Sequence, residues 1–358
     1  MDMRHFVKML FLVAVVFGLY QCSTGKTVYV NTLSLTSVPE EGGFSFIKIT
    51  DDADQLATPD VRVGKSAPAG YSSAVGSIIG KVSPDAYSVT NVIRWWLNPQ
   101  LAVSPDGKKV AYIARKNNMC NIMVKSAAQG GGSTQRTYRN FVTDFTWTNK
   151  DKICFTEYRN GKSMIFLTNA EQGAVVQQVS PEGVYDYAGV ISGDGSNLFF
   201  HRMDAENSYS IWSYDRAKNM FSNYSRGLTP CPAGRDRSSY YCTRFTDRME
   251  TEIWKVNYDT GVEEVLLSQP GRSFATPMVS PDGEWIICVG SSLTPDNVLN
   301  TDIFAIKTDG SHLTQLTYHP GNDISPAWSP DGNYIYFISQ RGSADGAYNV
   351  WRMNFDLQ

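Results

Sequence analysis

At 358 residues, with 42% hydrophobic and 19% charged side chains, the chain has a globular composition and the length for one large β domain or two ordinary domains. That composition excludes an intrinsically disordered chain, and a formal net charge of −3 gives no electrostatic basis for binding nucleic acid. The 19 Tyr, 17 Phe and 8 Trp favour strands, where aromatic side chains pack well on a pleated surface.

The chain opens with Arg4, His5 and Lys8, followed by an apolar run from Met9 to Leu19 that is too short for a comfortable membrane span. Cys22 comes next, and polar residues follow at once. This start resembles a lipoprotein signal of the Bacteroidetes type, although Tyr20 and Gln21 depart from the small residues usual before the acylated cysteine. The resemblance implies a signal peptide over 1–21, lipidation at Cys22 and a tether over 22–43. Two or three acyl chains anchor stably where one does not. Ser23 after the cysteine implies sorting to the outer membrane, and the lack of an acidic cluster there implies its periplasmic face. An ordinary secretory signal is the alternative, and either one takes the mature protein out of the cytoplasm.

Residues 44–358 are expected to form a single domain. Phe44 to Thr50 reads as a strand, with Thr27 to Leu33 as a second choice for the same role. Residues 61–96 are Gly-, Ala- and Ser-rich at their start and read as an irregular excursion that ends near Trp95-Trp96. Ser104-Pro105-Asp106-Gly107 then opens a series of turns. Related turns begin at Ser192, with Asp194 as its acidic residue, at Ser280 with Asp282, and at Ser329 with Asp331. The steps are 88, 88 and 49 residues, and degenerate copies at Thr148 and Asp236 halve the first two. Six units of about 44 residues result, the period of a four-stranded propeller blade. In each turn Pro presets φ, Asp bonds its own backbone and Gly supplies a left-handed exit.

An apolar strand follows each turn, such as Trp285-Ile286-Ile287-Cys288 or Tyr334 to Ile338, and a third strand recurs as in Glu252-Ile253-Trp254 or Asn349-Val350-Trp351. Outer strands are expected to end near Leu228-Thr229, Leu267-Ser268 and Leu316-Thr317. The last unit lacks an outer strand, and the Phe44 to Thr50 strand is the expected donor, which would leave no open sheet edge. The fold expected is an all-β, six-bladed propeller closed by an N-terminal strand. Seven blades would follow if residues 61–96 held a degenerate copy.

The run Pro326-Ala327-Trp328-Ser329-Pro330-Asp331-Gly332-Asn333-Tyr334-Ile335-Tyr336-Phe337 resembles the WD40-like repeat of TolB-type propellers. The likeness covers roughly residues 98–358 and implies a periplasmic scaffold that touches envelope proteins. It says more about fold than function, because the repeated residues build turns and strands. The expected role is therefore a non-catalytic envelope lipoprotein whose propeller face binds a protein partner. A glycan-binding lipoprotein of a polysaccharide-uptake system is the alternative, and a lyase or hydrolase acting in the channel is disfavoured.

The chemistry-bearing residues support that order. No Gly-x-Ser-x-Gly elbow marks a hydrolase domain, and Gly130-Gly131-Gly132-Ser133 lacks the Lys of a phosphate loop. His201, His312 and His319 are not expected to converge, so no metal or other cofactor is expected. Asp106, Asp194, Asp282 and Asp331 are read as turn residues. Trp95 and Trp96 are the candidate binding surface, and Cys231 and Cys242, symmetric about the Asp236-Arg237 turn, are placed to pair as a disulfide. Cys120, Cys154 and Cys288 are read as small core residues in inner strands.

Overall fold

The computed structural model describes residues 43–57 and 99–357, apart from 118, 140, 160–161, 172, 181–184, 193, 204–208, 235–237, 249, 294–298 and 344–345. Cys22, Trp95 and Trp96 lie outside the described residues, as do Thr27 to Leu33. Strand β1 (Phe46–Lys48) comes first. The first unit is β2 (Leu101–Val103), β3 (Lys109–Lys116), β4 (Met119–Ser126) and β5 (Thr134–Gln135). The second is β6 (Val142–Trp147), β7 (Lys152–Arg159), β8 (Lys162–Asn169) and β9 (Val176–Gln178). The third is β10 (Tyr185–Ile191), β11 (Asn197–Met203), β12 (Tyr209–Asp215) and β13 (Met220–Arg226). The fourth is β14 (Leu228–Pro232), β15 (Ser239–Phe245), β16 (Thr251–Asn257) and β17 (Glu263–Leu267). The fifth is β18 (Phe274–Val279), β19 (Trp285–Leu293), β20 (Leu299–Lys307) and β21 (Thr314–Gln315). The last is β22 (Asp323–Trp328), β23 (Tyr334–Ser339) and β24 (Asn349–Asn354).

Each unit is an antiparallel meander in which consecutive strands pair, and β1 adds to the last one as its fourth strand. A single parallel pairing, Tyr185 with Ser163, links the second and third units. The first strands of the units also touch in sequence. β2 contacts β6, β6 contacts β10, β10 contacts β14, β14 contacts β18, β18 contacts β22, and β22 contacts β2. Among the described residues there is no α-helix, and Asp52–Asp54 forms one 3₁₀ turn. The second strands are buried on both faces, as in Ile153 to Tyr158 of β7. They are sandwiched between neighbouring sheets, which explains why they read as continuous apolar runs and not as alternating ones.

The consensus turns owe their shape to one repeated pattern. Ser104 Oγ donates to Asp106 Oδ1 at 2.6 Å and accepts from Lys109 N at 2.9 Å, while Gly107 N closes the turn on Ser104 O at 2.8 Å. The same three bonds recur from Ser192, Ser280 and Ser329. In the degenerate second copy, Thr148 Oγ1 still accepts from Lys152 N. The hydroxyl satisfies the first amide of the second strand, and the carboxylate satisfies the hydroxyl.

A second regularity lies in the first strands and was not legible as a turn. Pairing between first and second strands slips by one residue at Ala188-Gly189, Thr229-Pro230, Thr276-Pro277 and Ser325-Pro326. These are β-bulges, where Pro costs no ladder hydrogen bond. Ala188, Thr229, Thr276 and Ser325 all take φ between 47° and 56°. That region is costly for a β-branched residue such as Thr, by about 1–3 kcal/mol. The sequence reading placed Leu228-Thr229 at the end of an outer strand. In the structure it begins β14, because only Gly227 separates it from β13.

The first unit solves the same problem differently. Leu56 bridges Ala114, Ala57 N donates to Ile113 O at 2.8 Å, and Leu101 pairs with Tyr112. The first strand of this unit is thus made of two pieces, and the excursion is inserted where other units carry their bulge. Residues 44–57 therefore tie the last unit to the first. Phe46–Lys48 pair with β24, Arg341 stacks on the Phe46 ring at 4.2 Å, and Asp54 bonds Lys125 Nζ at 2.6 Å and Tyr112 OH at 2.7 Å. The guanidinium of Arg341 is itself buried against Asp323 at 2.6 Å.

Thr50 is the pivot of this crossing: its buried hydroxyl donates to Asn349 Oδ1 at 3.0 Å and accepts from Val350 N at 2.8 Å. Thr50→Ala should cost about 1–3 kcal/mol because it strands a buried amide, whereas Thr50→Ser should retain most of the stability. Urea unfolding is the check: an unchanged midpoint for the alanine variant would show that the crossing adds nothing to stability.

Candidate functional site

The bulges place a polar relay between neighbouring units. The fifth residue of the second strand is Thr156, His201 or Thr243 in the second, third and fourth units. Each holds the strained amide of the next unit. His201 Nδ1 accepts from Thr229 N at 3.2 Å, and Thr243 Oγ1 accepts from Thr276 N at 3.3 Å. Thr156 acts through Asp144, whose Oδ1 accepts both Thr156 Oγ1 at 2.7 Å and Ala188 N at 3.0 Å. In the remaining units the same position is apolar: Val289, Ile338 and Ile113.

Burial governs the protonation of this relay. Desolvation raises the Asp144 carboxyl to about 6, although bonds from Thr156, Thr143 and the Ala188 amide pull it down. Desolvation lowers His201 to about 3, so a neutral ring with Nδ1 as acceptor carries its proton on Nε2. His319 is likewise buried, and its Nδ1 accepts from Gly321 N at 3.0 Å, whereas His312 is exposed. No group of three His, Cys, Asp or Glu able to hold a metal ion occurs among the described residues.

The cysteines require two corrections. Cys231 pairs with Tyr241, not Cys242, because the connection between β14 and β15 sets a register one residue off the symmetric hairpin. A one-residue offset turns the side chains to opposite faces, and both cysteines are free thiols. Cys154 and Cys288 lie in second strands and Cys120 in the third strand of its unit, all buried. Burial pushes the Cys242 thiol up to about 12 and Cys120 to about 11, which removes them as nucleophiles at neutral pH.

The Ser-Asp turns lie beside one another on one face. A β-carbon added to Gly107 would sit 3.7 Å from Pro330, one added to Gly332 would sit 3.8 Å from Pro281, and Lys150 Nζ donates to Asp194 O at 2.9 Å. The Ser104 and Ser329 hydroxyls hold the Asp106 and Asp331 carboxyls below the usual carboxylate range. Between the turns of the fifth and last units opens a cavity of about 320 Å³. Three aromatic rings line it: Phe355 meets Trp328 edge-on at 4.7 Å and Trp285 at 5.5 Å. Its rim carries the exposed carboxylates Asp282, Glu284 and Asp331, with Lys307 Nζ 5.4 Å from the Trp285 ring centre. Trp328 is fixed in place because its Nε1 donates to Met278 O at 2.9 Å in the neighbouring unit. The sequence reading used these residues as repeat markers. The aromatic residues at the three flanking positions were its missed signal.

Residues 228–357 match the family model of the TolB beta propeller domain. The Tol-Pal system protein TolB of Helicobacter pylori (strain ATCC 700392 / 26695) is 27% identical over 131 residues, which is 37% of this chain and 30% of the relative. The chain thus aligns with under a third of the length of that TolB relative. The structure of putative TolB from Agrobacterium tumefaciens superposes with a TM-score of 0.54 at 17% identity, covering 72% of this chain and 90% of that one. TolB from Acinetobacter baumannii gives 0.53 at 17% identity over 70% of this chain and 64% of its own. These likenesses establish a TolB-like β-propeller architecture, and the cavity lies wholly within the matched residues.

The relay generates a pH prediction. Asp144 has a raised folded pKa, so its contribution is complete below about pH 4 and is lost as the pH rises through about 6. His201 has the opposite sign: its contribution is complete above about pH 6.5 and is lost on acidification. Asp144→Asn keeps an acceptor for Ala188 and removes only the first slope. Relative to the unaltered protein, the variant should gain on the order of 2–3 kcal/mol between pH 4 and pH 7, and become more acid-sensitive. Equal differences in urea stability at the two pH values would mean that Asp144 titrates as an ordinary carboxyl.

Proposed function

We propose that the protein is a non-catalytic envelope lipoprotein whose propeller binds a protein partner. The observation that carries this reading is the match of residues 228–357 to the TolB beta propeller domain, in a chain that begins with a lipoprotein-like signal. The relative that shares this stretch is named as a component of the Tol-Pal system. A propeller by itself is compatible with many activities, so the fold only supports the reading alongside that sequence match.

The propeller is a ring of six blades closed by β1. Its support is the cycle of contacts among the six first strands, in which β22 touches β2 directly. Cys22 carries the acyl anchor, and residues 22–43 tether the ring at the periplasmic face of the outer membrane. Among the residues singled out by sequence, Trp95 and Trp96 belong to the insertion that interrupts the first strand of the first unit.

Two experiments test this. Cys22→Ala should abolish labelling by radioactive palmitate and release the protein from the membrane fraction, and a labelled, membrane-bound variant would refute the anchor. Cross-linking of the tagged protein in its own cells, followed by affinity capture and mass spectrometry, should recover one envelope protein well above a tagged control. Recovery of polysaccharide with no enriched protein would replace partner binding by glycan binding.

A further inference from the structure

The cavity between the fifth and last turns combines two features that favour one kind of ligand. Its walls are the rings of Trp285, Trp328 and Phe355, and its rim is made of Asp282, Glu284 and Asp331. An aromatic ring presents negative charge on its face, and a carboxylate does so along its rim, so both attract a cation that carries an apolar stem. Lys307 already shows this complementarity from within the chain, since its ammonium lies over the Trp285 ring. One resident ammonium faces three carboxylates, so an excess of negative charge remains at the opening. A volume of about 320 Å³ is at the lower end for ligand pockets and suits one long side chain better than an extended oligomer. An anionic ligand would meet that rim unfavourably. A neutral sugar would use the rings but bring no charge to complement the carboxylates.

We infer that this pocket receives a Lys or Arg side chain from a protein partner, with the guanidinium or ammonium at the Asp282–Glu284–Asp331 rim and the aliphatic stem against Trp328 and Phe355. The inference rests on the partner-binding reading above and adds the chemistry of one anchoring contact. The pocket is built before any partner arrives, because Trp328 is held by its indole bond to Met278 O and the two turns by their Ser-Asp bonds. Preorganisation of this kind lowers the ordering cost of binding. Lys307 is the internal competitor for the same negative potential, so removing its charge should strengthen the site.

The test uses the purified full chain and the peptides acetyl-Gly-Arg-Gly-amide and acetyl-Gly-Lys-Gly-amide, with acetyl-Gly-Glu-Gly-amide and maltotriose as comparisons. The readout is the tryptophan Nε1–H signals in nitrogen-15 NMR spectra, assigned with Trp285→Phe and Trp328→Phe. The basic peptides should shift both signals saturably and the acidic one should not. Glu284→Gln should weaken their binding about threefold to tenfold, and Lys307→Gln should tighten it by a similar factor. Both substitutions lie on the exposed or half-exposed rim, so the unaltered chemical shifts of distant signals report that the fold is retained. Binding unaffected or weakened by Lys307→Gln would overturn the inference, as would equal shifts by maltotriose or by the acidic peptide. In cells, a partner captured equally by Glu284→Gln and Lys307→Gln would remove the pocket and leave partner binding standing. Peptide binding in vitro with no captured protein would do the reverse.

Discussion

The structure depends on the bulges that interrupt its first strands. Propeller sheets pack face to face around a common centre, and straight first strands would not bend enough to meet their neighbours there. Four units place a residue with positive φ at that level, and three of them follow it with Pro. The strain is tolerated because surrounding groups fix it. The amides of Ala188, Thr229 and Thr276 are each held by a side chain of the preceding unit, so backbone distortion in one unit is locked by the one before it. The buried Asp144 and His201 belong to this relay, and their perturbed titration follows from a structural task.

The same constraint explains the N-terminal segment. In the first unit the bulge is replaced by an insertion, and its first strand must be assembled from Gln55–Ala57 and Leu101–Val103. The residues just before that junction complete the last unit through β1. One stretch of fifteen residues, 43–57, thus bonds to both ends of the repeat array. The buried Arg341–Asp323 pair contributes orientation here more than energy, since charges in such a pair offset much of their own desolvation. Its guanidinium plane is what Phe46 packs on.

The turns have two consequences on different scales. Locally, each Ser-Asp pair satisfies the amide that begins the second strand, and each aspartate commits its Oδ1 to that duty. Collectively, the turns stand next to one another and place negative charge around one face. Between the fifth and last units, flanking aromatic residues convert that face into a cavity. The pair is not repeated in the first and second units: Trp147 stands in the second unit where Trp328 stands in the last, but Lys109 stands in the first unit where Trp285 stands in the fifth. The shared turn is therefore scaffold, and the difference between units is where binding chemistry resides.

The sequence by itself determined the elements that rest on local chemistry. The Ser-Asp-Gly turns, the apolar second strands and the place of the N-terminal strand, which spans Phe46–Lys48 within the expected Phe44 to Thr50, were legible, because turn geometry and strand burial depend on neighbours close along the chain. The bulges were not read, although Thr229-Pro230, Thr276-Pro277 and Ser325-Pro326 spell them out, because a bulge is defined only by the register of a partner strand. The placement of Leu228-Thr229 follows from that omission, whereas pairing Cys231 with Cys242 assumes a symmetric hairpin that the connection between β14 and β15 does not form. The cavity needed still more, since Trp285, Trp328 and Phe355 come from two strands and the residue after β24, in two units. Only the tertiary structure brings them together, because the packing of one blade on the next sets distances that no periodicity along the chain encodes.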